Sequence, residues 1–543
     1  MTFSGAEASI RYDRQVRLWG EEGQSSIGAT TVCLLGSDSL GTEILKSLVL
    51  AGIQSFFIVD DAKVEIADIG QNFFLHIEDV GKNRAEVTLE KLKELNPSVA
   101  GFASTISPTQ LHETDIGKMC EFSVVVAANQ TENIESLYAN ILWSQGVPLV
   151  CAKTSGFLGT IRICVKEHTI ANSHEENPRP DMRLDNPFQE LVEIINETNL
   201  DEMTIDELRH TPYILILFKA LEIYRKNRQN PNAFPQSYSD RKEIQSIVLS
   251  LRRSSEESGT KDSENFDEAK MAVTRAFQKT EIPSSVQQIL NDPNCSTSTE
   301  PFWIICEALR RFVDSNNGYL PVRGDLPDMT SDSKRYTRLA TIFHEKASID
   351  AKKVLELTRE VEKERNLEDL MISEELCYRF CKNADRIRVQ RGQSYDVQRE
   401  IKSIIDLIKH LSIDSENDKS VDGSIWLLLL RAVDRFHNEK GRYPGTNGVP
   451  CTIDAFDLTQ RVETIVKKAA ETQEESIKIM NRIPKNAIDE ICRYGAAELH
   501  VVSSLIGGIT SQEVIKLATN QYVPLENTFV FDGHTQQSTT LKI

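Results

Sequence analysis

A short turn near the amino terminus, Gly36-Ser37-Asp38-Ser39-Leu40-Gly41, has the spacing of a phosphate-cradling G-x-G-x-x-G loop with its middle glycine replaced. In a working loop the second glycine lets the backbone approach phosphate oxygens, and the third lets the helix pack closely on the strand. Gly36 and Gly41 are in place, but Asp38 adds a side chain and a negative charge where phosphate would sit. A unit charge at ~4 Å is worth ~4 kcal/mol at an effective dielectric of ~20. A micromolar site has only ~8 kcal/mol in all, so this one residue offsets about half of a typical nucleotide affinity. Asp60 ends the next apolar run, where an acid would hold a ribose in a dinucleotide site. A damaged glycine turn alone is a weak signal, because similar turns occur in sheets that bind nothing.

A second candidate for chemistry is Cys451, in Pro450-Cys451-Thr452-Ile453-Asp454-Ala455-Phe456. Asp454 and Asp457 would work against a thiolate there. A cysteine in a loop after a Gly-Pro turn is the simpler account, and no catalytic residue is assigned. The ten cysteines are scattered singly without a C-x-x-C pair, which indicates neither a zinc ribbon nor a redox motif.

The elements that must position the turn follow from periodicity. Residues 31–36 (TVCLLG) form an apolar run ending in glycine, 40–50 an amphipathic stretch and 56–60 (FFIVD) a second strand. This is β–turn–α–β, the opening of a doubly wound parallel sheet. A helix from near Gly81, a strand at 123–128, a helix over 131–145 and strands at 147–152 and 159–168 continue the α/β alternation. From about 170 to 480 the period is nearly all helical. The Ser/Glu-rich piece 252–265 reads as a mobile loop. Segments 302–321 and 425–444 resemble each other, as two halves of a duplication or as chance. The last sixty residues return to mixed character, with a small-residue-rich helix at 498–519 carrying Gly507-Gly508 and a strand at 527–533. The expected architecture is a Rossmann-like α/β fold over 1–168 and 484–543, interrupted by an all-helical insertion over 169–483.

Of the 543 residues, 62 are Lys or Arg and 81 are Asp or Glu, a net charge of −19. That sign argues against nucleic acid and an anionic membrane surface and suits a partner with a basic face. No apolar run approaches the ~20 residues of a membrane span. Single reduced thiols and the lack of a signal-like start point to a cytoplasmic or nuclear protein.

Taken in order, Arg11-Tyr12-Asp13-Arg14-Gln15, the glycine turn, Leu48-Val49-Leu50-Ala51-Gly52, Asp60 and Gly81-Lys82-Asn83-Arg84-Ala85 closely resemble a known adenylation domain. It is shared by the bacterial sulfur-carrier adenylating enzymes and the ubiquitin-activating enzymes. The resemblance covers residues 9–166 and 490–535 and implies an ATP pocket containing the positions of Gly36, Asp38, Gly41, Asp60, Gln71, Lys82 and Gln130. It also implies that this pocket is degenerate. ATP-binding members carry a phosphate-holding arginine where Gln71 stands and a magnesium-holding aspartate where Gln130 stands. A neutral amide does not replace a carboxylate on Mg²⁺ without losing charge compensation. In paired activating enzymes the N-terminal helix of the inactive member resembles an arm that delivers an arginine to the partner's ATP, and Arg14 holds that position. A local ion pair with Asp13 or a glutamate is the plainer reading of Arg14.

Along its whole length the chain resembles the regulatory subunits of the heterodimeric enzymes that activate the neddylation modifier. The segments that carry this are 72–75, 183–185, 210–212, 320–329, 431–437 and 492–498. The resemblance implies that the partner catalytic subunit holds ATP, Mg²⁺, a structural zinc and the thioester cysteine, and that this chain binds no cofactor. The implied partners are that subunit, the ubiquitin-like modifier and, through the complex, a conjugating enzyme. Partner contacts are implied at His210 and at Pro327, Asp328, Met329, Thr330, Ser331, Asp332 and Tyr336; read locally, these are a residue before Thr-Pro and a loop entering a helix. An inactive subunit for SUMO or ubiquitin, a self-sufficient adenylating enzyme and a dinucleotide oxidoreductase are the rival readings. The oxidoreductase leaves both the opening RYDRQ and the long insertion unexplained.

Overall fold

The computed structural model describes residues 5–175, 179–253, 263–411 and 421–543. Most of the Ser/Glu-rich piece 252–265 lies outside them. The first stretch of chain builds helices α1 (Gly5–Gly28), α2 (Ser39–Ala51), α3 (Ile66–Ile69), α4 (Arg84–Leu95), α5 (Pro108–Asp115) and α6 (Glu132–Gln145). Between and after them run strands β1 (Thr31–Leu35), β2 (Ser55–Val59), β3 (Ala100–Ser104), β4 (Val124–Ala128), β5 (Leu149–Ser155), β6 (Leu158–Cys164) and β7 (Glu167–Ile170). The later strands are β8 (Arg388–Arg391), β9 (Thr528–Asp532) and β10 (Gln537–Leu541).

Eight strands form one sheet in the order β10-β9-β6-β5-β4-β1-β2-β3. The run from β3 through β2, β1 and β4 to β5 is parallel, and β6, β9 and β10 add antiparallel partners. The strand order reverses between β1 and β4, because β2 lies on one side of β1 and β4 on the other. In open α/β sheets such a switch point opens a crevice at the carboxyl ends of the strands. It places the turn after β1 beside residues 129–130 after β4. Apart from the half-buried Thr31, strands β1 and β4 are apolar and buried on both faces, as parallel strands covered by helices must be.

The sequence 159–168 divides into two strands, because β7 leaves the large sheet to pair with β8 in a two-stranded sheet. Helix His500–Thr519 lies against α2. A Cβ on Gly507 would fall 2.9 Å from Glu43 Cβ, whereas one on Gly508 would meet nothing within 4 Å. Of the glycine pair, only Gly507 permits the close approach.

The compact units divide the chain at 168/169 and 389/390 rather than at 168/169 and 483/484. One comprises Met1–His168 with Gln390–Ile543, and the other Thr169–Val389. Helices Val397–Lys409 and Gly423–Lys440 therefore belong with the sheet, although their periodicity matched the insertion. Their core residues, from Ile401 to Phe436, join Leu158 and Val530 of the sheet in one apolar cluster. Buried ion pairs add to it. Arg162 of β6 donates to Glu400 at 2.6 Å, and Arg431 donates to the other oxygen of Glu400 at 2.8 Å and to Tyr395 Oη at 2.6 Å. Lys153 of β5 lies 2.5 Å from Asp434 and 3.2 Å from Glu135 of α6. The second unit is helical, from Gln189–Glu197 to Glu374–Lys382, and includes the 32-residue helix Ser333–Glu364. The two similar segments become helices Pro301–Ser315 and Gly423–Lys440, one in each unit.

Removing one partner from a buried ion network leaves an uncompensated charge, at a cost of roughly 3–5 kcal/mol. Arg431→Met leaves Glu400 with Arg162 alone and Glu135 with Lys153 alone, so the unfolding free energy of the unit that contains the sheet is expected to fall by up to about 3 kcal/mol, the low end of that range, read as a lower urea midpoint. A midpoint within experimental scatter of the unsubstituted protein would show that these pairs do not hold the helices to the sheet.

Candidate functional site

At the switch point the turn keeps its shape. Gly36 has φ 89°, and a Cβ there would fall 2.7 Å from the Ala128 carbonyl oxygen and 2.6 Å from Gln130 Nε2. A Cβ on Gly41 would meet the Gly36 carbonyl at 2.2 Å. The first and third glycines are thus sterically required, and helix α2 starts where a phosphate-binding helix would.

The N–H groups that begin this helix are already bonded to the protein's own carboxylates. Asp38 is the N-cap of α2: its Oδ1 accepts from Gly41 N at 2.9 Å, and its Oδ2 accepts from Asn129 Nδ2 at 2.9 Å. Glu498, which precedes helix His500–Thr519, accepts from Ser39 N at 3.0 Å, Leu40 N at 3.3 Å and Asn129 Nδ2 at 2.5 Å. Asn129 stands between the two acids with φ 50° and accepts from Thr154 N at 2.8 Å, which fixes its amide. Burial and the Asp38 charge push the Glu498 carboxyl up to about 8. Burial also raises Asp38, opposed by Arg84 and by the bonds from Gly41 and Asn129.

Asp60 is equally engaged. It accepts from Ser37 N at 2.8 Å, Ser37 Oγ at 2.7 Å, Ala62 N at 2.9 Å and Arg84 Nε at 2.9 Å. Burial works against its charge, yet Arg84 and Ser37 hold its carboxyl below the usual range. A ribose would have to displace these donors. Gln130 folds back, donating from Nε2 to the Ala128 carbonyl at 2.9 Å. The Gln71 carbonyl accepts from Ser39 Oγ at 2.8 Å, which ties its segment to the start of α2. Lys82 is a correction to the expected pocket: its ammonium is more than half exposed and pairs with Asp79 at 2.8 Å. Arg84, two residues on, is the cation that the pocket contains.

A magnesium-bound triphosphate does not suit this donor set. The helix N–H groups hold carboxylates, Gln130 is neutral and bonded to backbone, and no described group of His, Cys, Asp or Glu is arranged to hold a metal. Sequence reasoning missed Glu498 and Asn129. No local spacing marks Glu498 as a neighbour of Ser39, and the only hint at Asn129 is that asparagine tolerates left-handed backbone better than most residues.

Arg14 lies outside the pocket, on α1. Tyr12 anchors that helix: Asn96 Nδ2 donates to its Oη at 2.9 Å, and a Cβ on Gly52 would meet the same oxygen at 2.5 Å. Arg14 is exposed, and Asp13, the local partner considered for it, pairs instead with Arg17 at 2.9 Å. Cys451 is exposed and opens helix Cys451–Ala469, not a loop. Asp454 is taken by Arg442 at 2.7 and 2.8 Å.

In the helical unit, His210 and the 327–336 segment converge. Asp332 N donates to the His210 carbonyl at 3.0 Å, and Arg335 donates to the Glu207 carbonyl at 2.8 Å and Thr211 Oγ1 at 2.9 Å. Asp332 caps the 32-residue helix through Arg335 N, and Thr330 donates to Glu268 from N and Oγ1 at 2.9 and 2.8 Å. His210 and Asp328 are exposed, while Pro327, Met329, Ser331 and Tyr336 are half-buried.

The sequence model described as the ThiF family matches residues 12–543. A NEDD8-activating enzyme E1 regulatory subunit from Caenorhabditis elegans is 66% identical over 537 residues, 99% of each chain. The protein of that name from Xenopus laevis is 37% identical over 98% of each chain. The NEDD8-activating enzyme E1 regulatory subunit AXL of Arabidopsis thaliana is 34% identical over 99% of this chain and all of that one. The chain belongs to the ThiF family and, within it, to the NEDD8-activating enzyme E1 regulatory subunits.

Glu498 gives the pocket a pH signature. Its carboxyl titrates near 8 in the folded protein and near ~4.3 in an unfolded chain. The folded state therefore keeps a proton that the unfolded state releases, and the stability this gives is full below the unfolded value and lost as pH rises through the folded one. Glu498→Gln stays neutral throughout. Its unfolding midpoint is expected to fall less than that of the unsubstituted protein between about pH 5 and 8.5, and parallel profiles would contradict the assignment.

Proposed function

We propose that this chain is the regulatory half of a heterodimer that activates the ubiquitin-like modifier NEDD8, and that it leaves nucleotide chemistry to its catalytic partner. The observation that carries this reading is the pair of carboxylates, Asp38 and Glu498, seated on the α2 N–H groups where a nucleotide's phosphates would go. Whole-length similarity to proteins named as regulatory subunits supports it. In this proposal the partner holds ATP, Mg²⁺, a structural zinc and the cysteine that takes the modifier as a thioester for transfer to a conjugating enzyme. The ten cysteines, all of them free thiols, suit a reducing compartment such as the cytoplasm or nucleus. No described helix is long and apolar enough to cross a membrane.

Arg14 is this chain's contribution to the chemistry. Tyr12 fixes the helix that carries it, and Arg14 has no ion-pair partner among the described residues. A guanidinium delivered in trans can neutralise charge that develops between α- and β-phosphates as the modifier's carboxylate attacks and pyrophosphate leaves. The covering partner has a suitable surface to meet. Phe73 and Val501 are each 74% exposed, Leu505 lies one turn beyond Val501 on the same face, and Phe73 sits 6.4 Å from His500. The contacts at His210 and 327–336 are proposed as a further site of partner binding in the helical unit.

ATP–pyrophosphate exchange in the presence of the modifier, measured with each subunit alone and then mixed, tests this. Activity is expected only in the mixture, and Arg14→Ala is expected to lower it by ~10³-fold, the low end for an arginine supplied in trans, without weakening heterodimer assembly. Binding of radiolabelled ATP by this chain alone would sink the proposal, and full exchange with Arg14→Ala would remove the arm from it.

A further inference from the structure

The donors at the start of α2 are arranged as an oxyanion cradle, and the group they hold arrives from the far end of the chain. Ser39 N and Leu40 N bond to different oxygens of one carboxyl group, and the Asn129 amide bonds to one of those oxygens. The surrounding shape is retained: Gly36 is left-handed, Gly41 packs on its carbonyl, and the Arg84 guanidinium is a largely buried cation of the same cluster. Both glycines are required by the close approach of the turn, the strand and the helix, so the backbone shape of the cradle persists without a bound ligand. The route of the incoming chain is equally specific. Gly495 and Ala496 both have positive φ, 53° and 57°, a conformation that is unfavourable for alanine. That pair of residues turns the chain back, so that Glu498 reaches the helix before His500–Thr519 begins.

We infer that Glu498 is a built-in surrogate for phosphate: an autoinhibitory side chain that occupies the Ser39 and Leu40 donors of the oxyanion cradle and keeps them closed. The inference rests on the proposed non-nucleotide-binding role and adds that Glu498 is the removable one of the two side chains that enforce it. Without Glu498, the Ser39 and Leu40 N–H groups would lack a partner in a part-buried site, which is unfavourable unless water or an anion takes the place. Asp38 is a separate obstacle. It caps Gly41 and repels an incoming anion, but it does not bond to the Ser39 or Leu40 N–H groups.

Pyrophosphate is the probe, titrated calorimetrically into the purified full-length chain. Asp38→Asn keeps the helix cap and removes the charge. Because Glu498 still fills the cradle, this variant is expected to bind no better than the unsubstituted protein. Asp38→Asn/Glu498→Ala is expected to bind at least tenfold more tightly than Asp38→Asn. If the alanine variant fails to fold, Asp38→Asn/Glu498→Gln keeps the side chain's shape and is expected to give a smaller gain of the same sign. The inference is overturned if Asp38→Asn alone gains as much as either double variant, or if neither double variant gains. Binding of ATP by the unsubstituted chain would instead overturn the proposed function, so the two failures are distinguishable.

Discussion

The N–H groups that open a helix have no partners within it, and at the start of α2 this unmet demand organises the unit. In a nucleotide-binding relative of this fold, phosphate would meet the demand. Here Asp38 meets it from within the turn and Glu498 meets it from a segment 458 residues away. The carboxyl-terminal part of the chain is thus joined to the amino-terminal part at the point where a ligand would have joined them. Asn129, held by Thr154, spaces the two acids and couples the end of β4 to the same cluster. Side chains contributed by three distant pieces of sequence have taken over a ligand's structural role.

A second set of charges joins the sheet to the helices after residue 390. Glu400 receives Arg162 from the sheet and Arg431 from a helix, and Lys153 receives Asp434 from that same helix and Glu135 from α6. Each charge has a partner, as buried charges require. Trp426 and Phe436 belong to the apolar cluster between helix and sheet, and the ion pairs lie beside it. The boundary of the unit consequently falls at 389/390, well before the helical period of the sequence ends.

What the sequence disclosed is what short-range patterns can carry. The glycine turn, the buried runs of β1 and β4 and the apolar period of α2 are local, so the doubly wound sheet and the position of its crevice were legible. Asp38 was legible as a misplaced charge, but not as the cap of its own helix, because an aspartate in a glycine position can serve the backbone only if its carboxyl turns onto Gly41 N, as it does here. Glu498 was invisible, since nothing in spacing links it to Ser39. Lys82 was misplaced because its segment matches a pocket motif while its ammonium is captured by Asp79 three residues back. Periodicity identified the helices after 390 but not the surface they cover, because an apolar stripe does not say whether it meets a sheet or another helix. The strand read over 159–168 was divided by β7 turning to pair with β8, a partner more than two hundred residues further on.

The long excursion between β6 and β9 also sets a timetable for synthesis. Strand β6 is complete at Cys164, but its antiparallel neighbour begins at Thr528. At the ~5–20 residues per second of a ribosome, that edge waits on the order of half a minute for its partner. Through that interval the nascent sheet presents open backbone donors and acceptors, and the face of α2 that receives helix His500–Thr519 stays bare. The helical unit is made during the wait. A newborn chain of this design depends on whatever shields an unfinished sheet edge until its last sixty residues emerge.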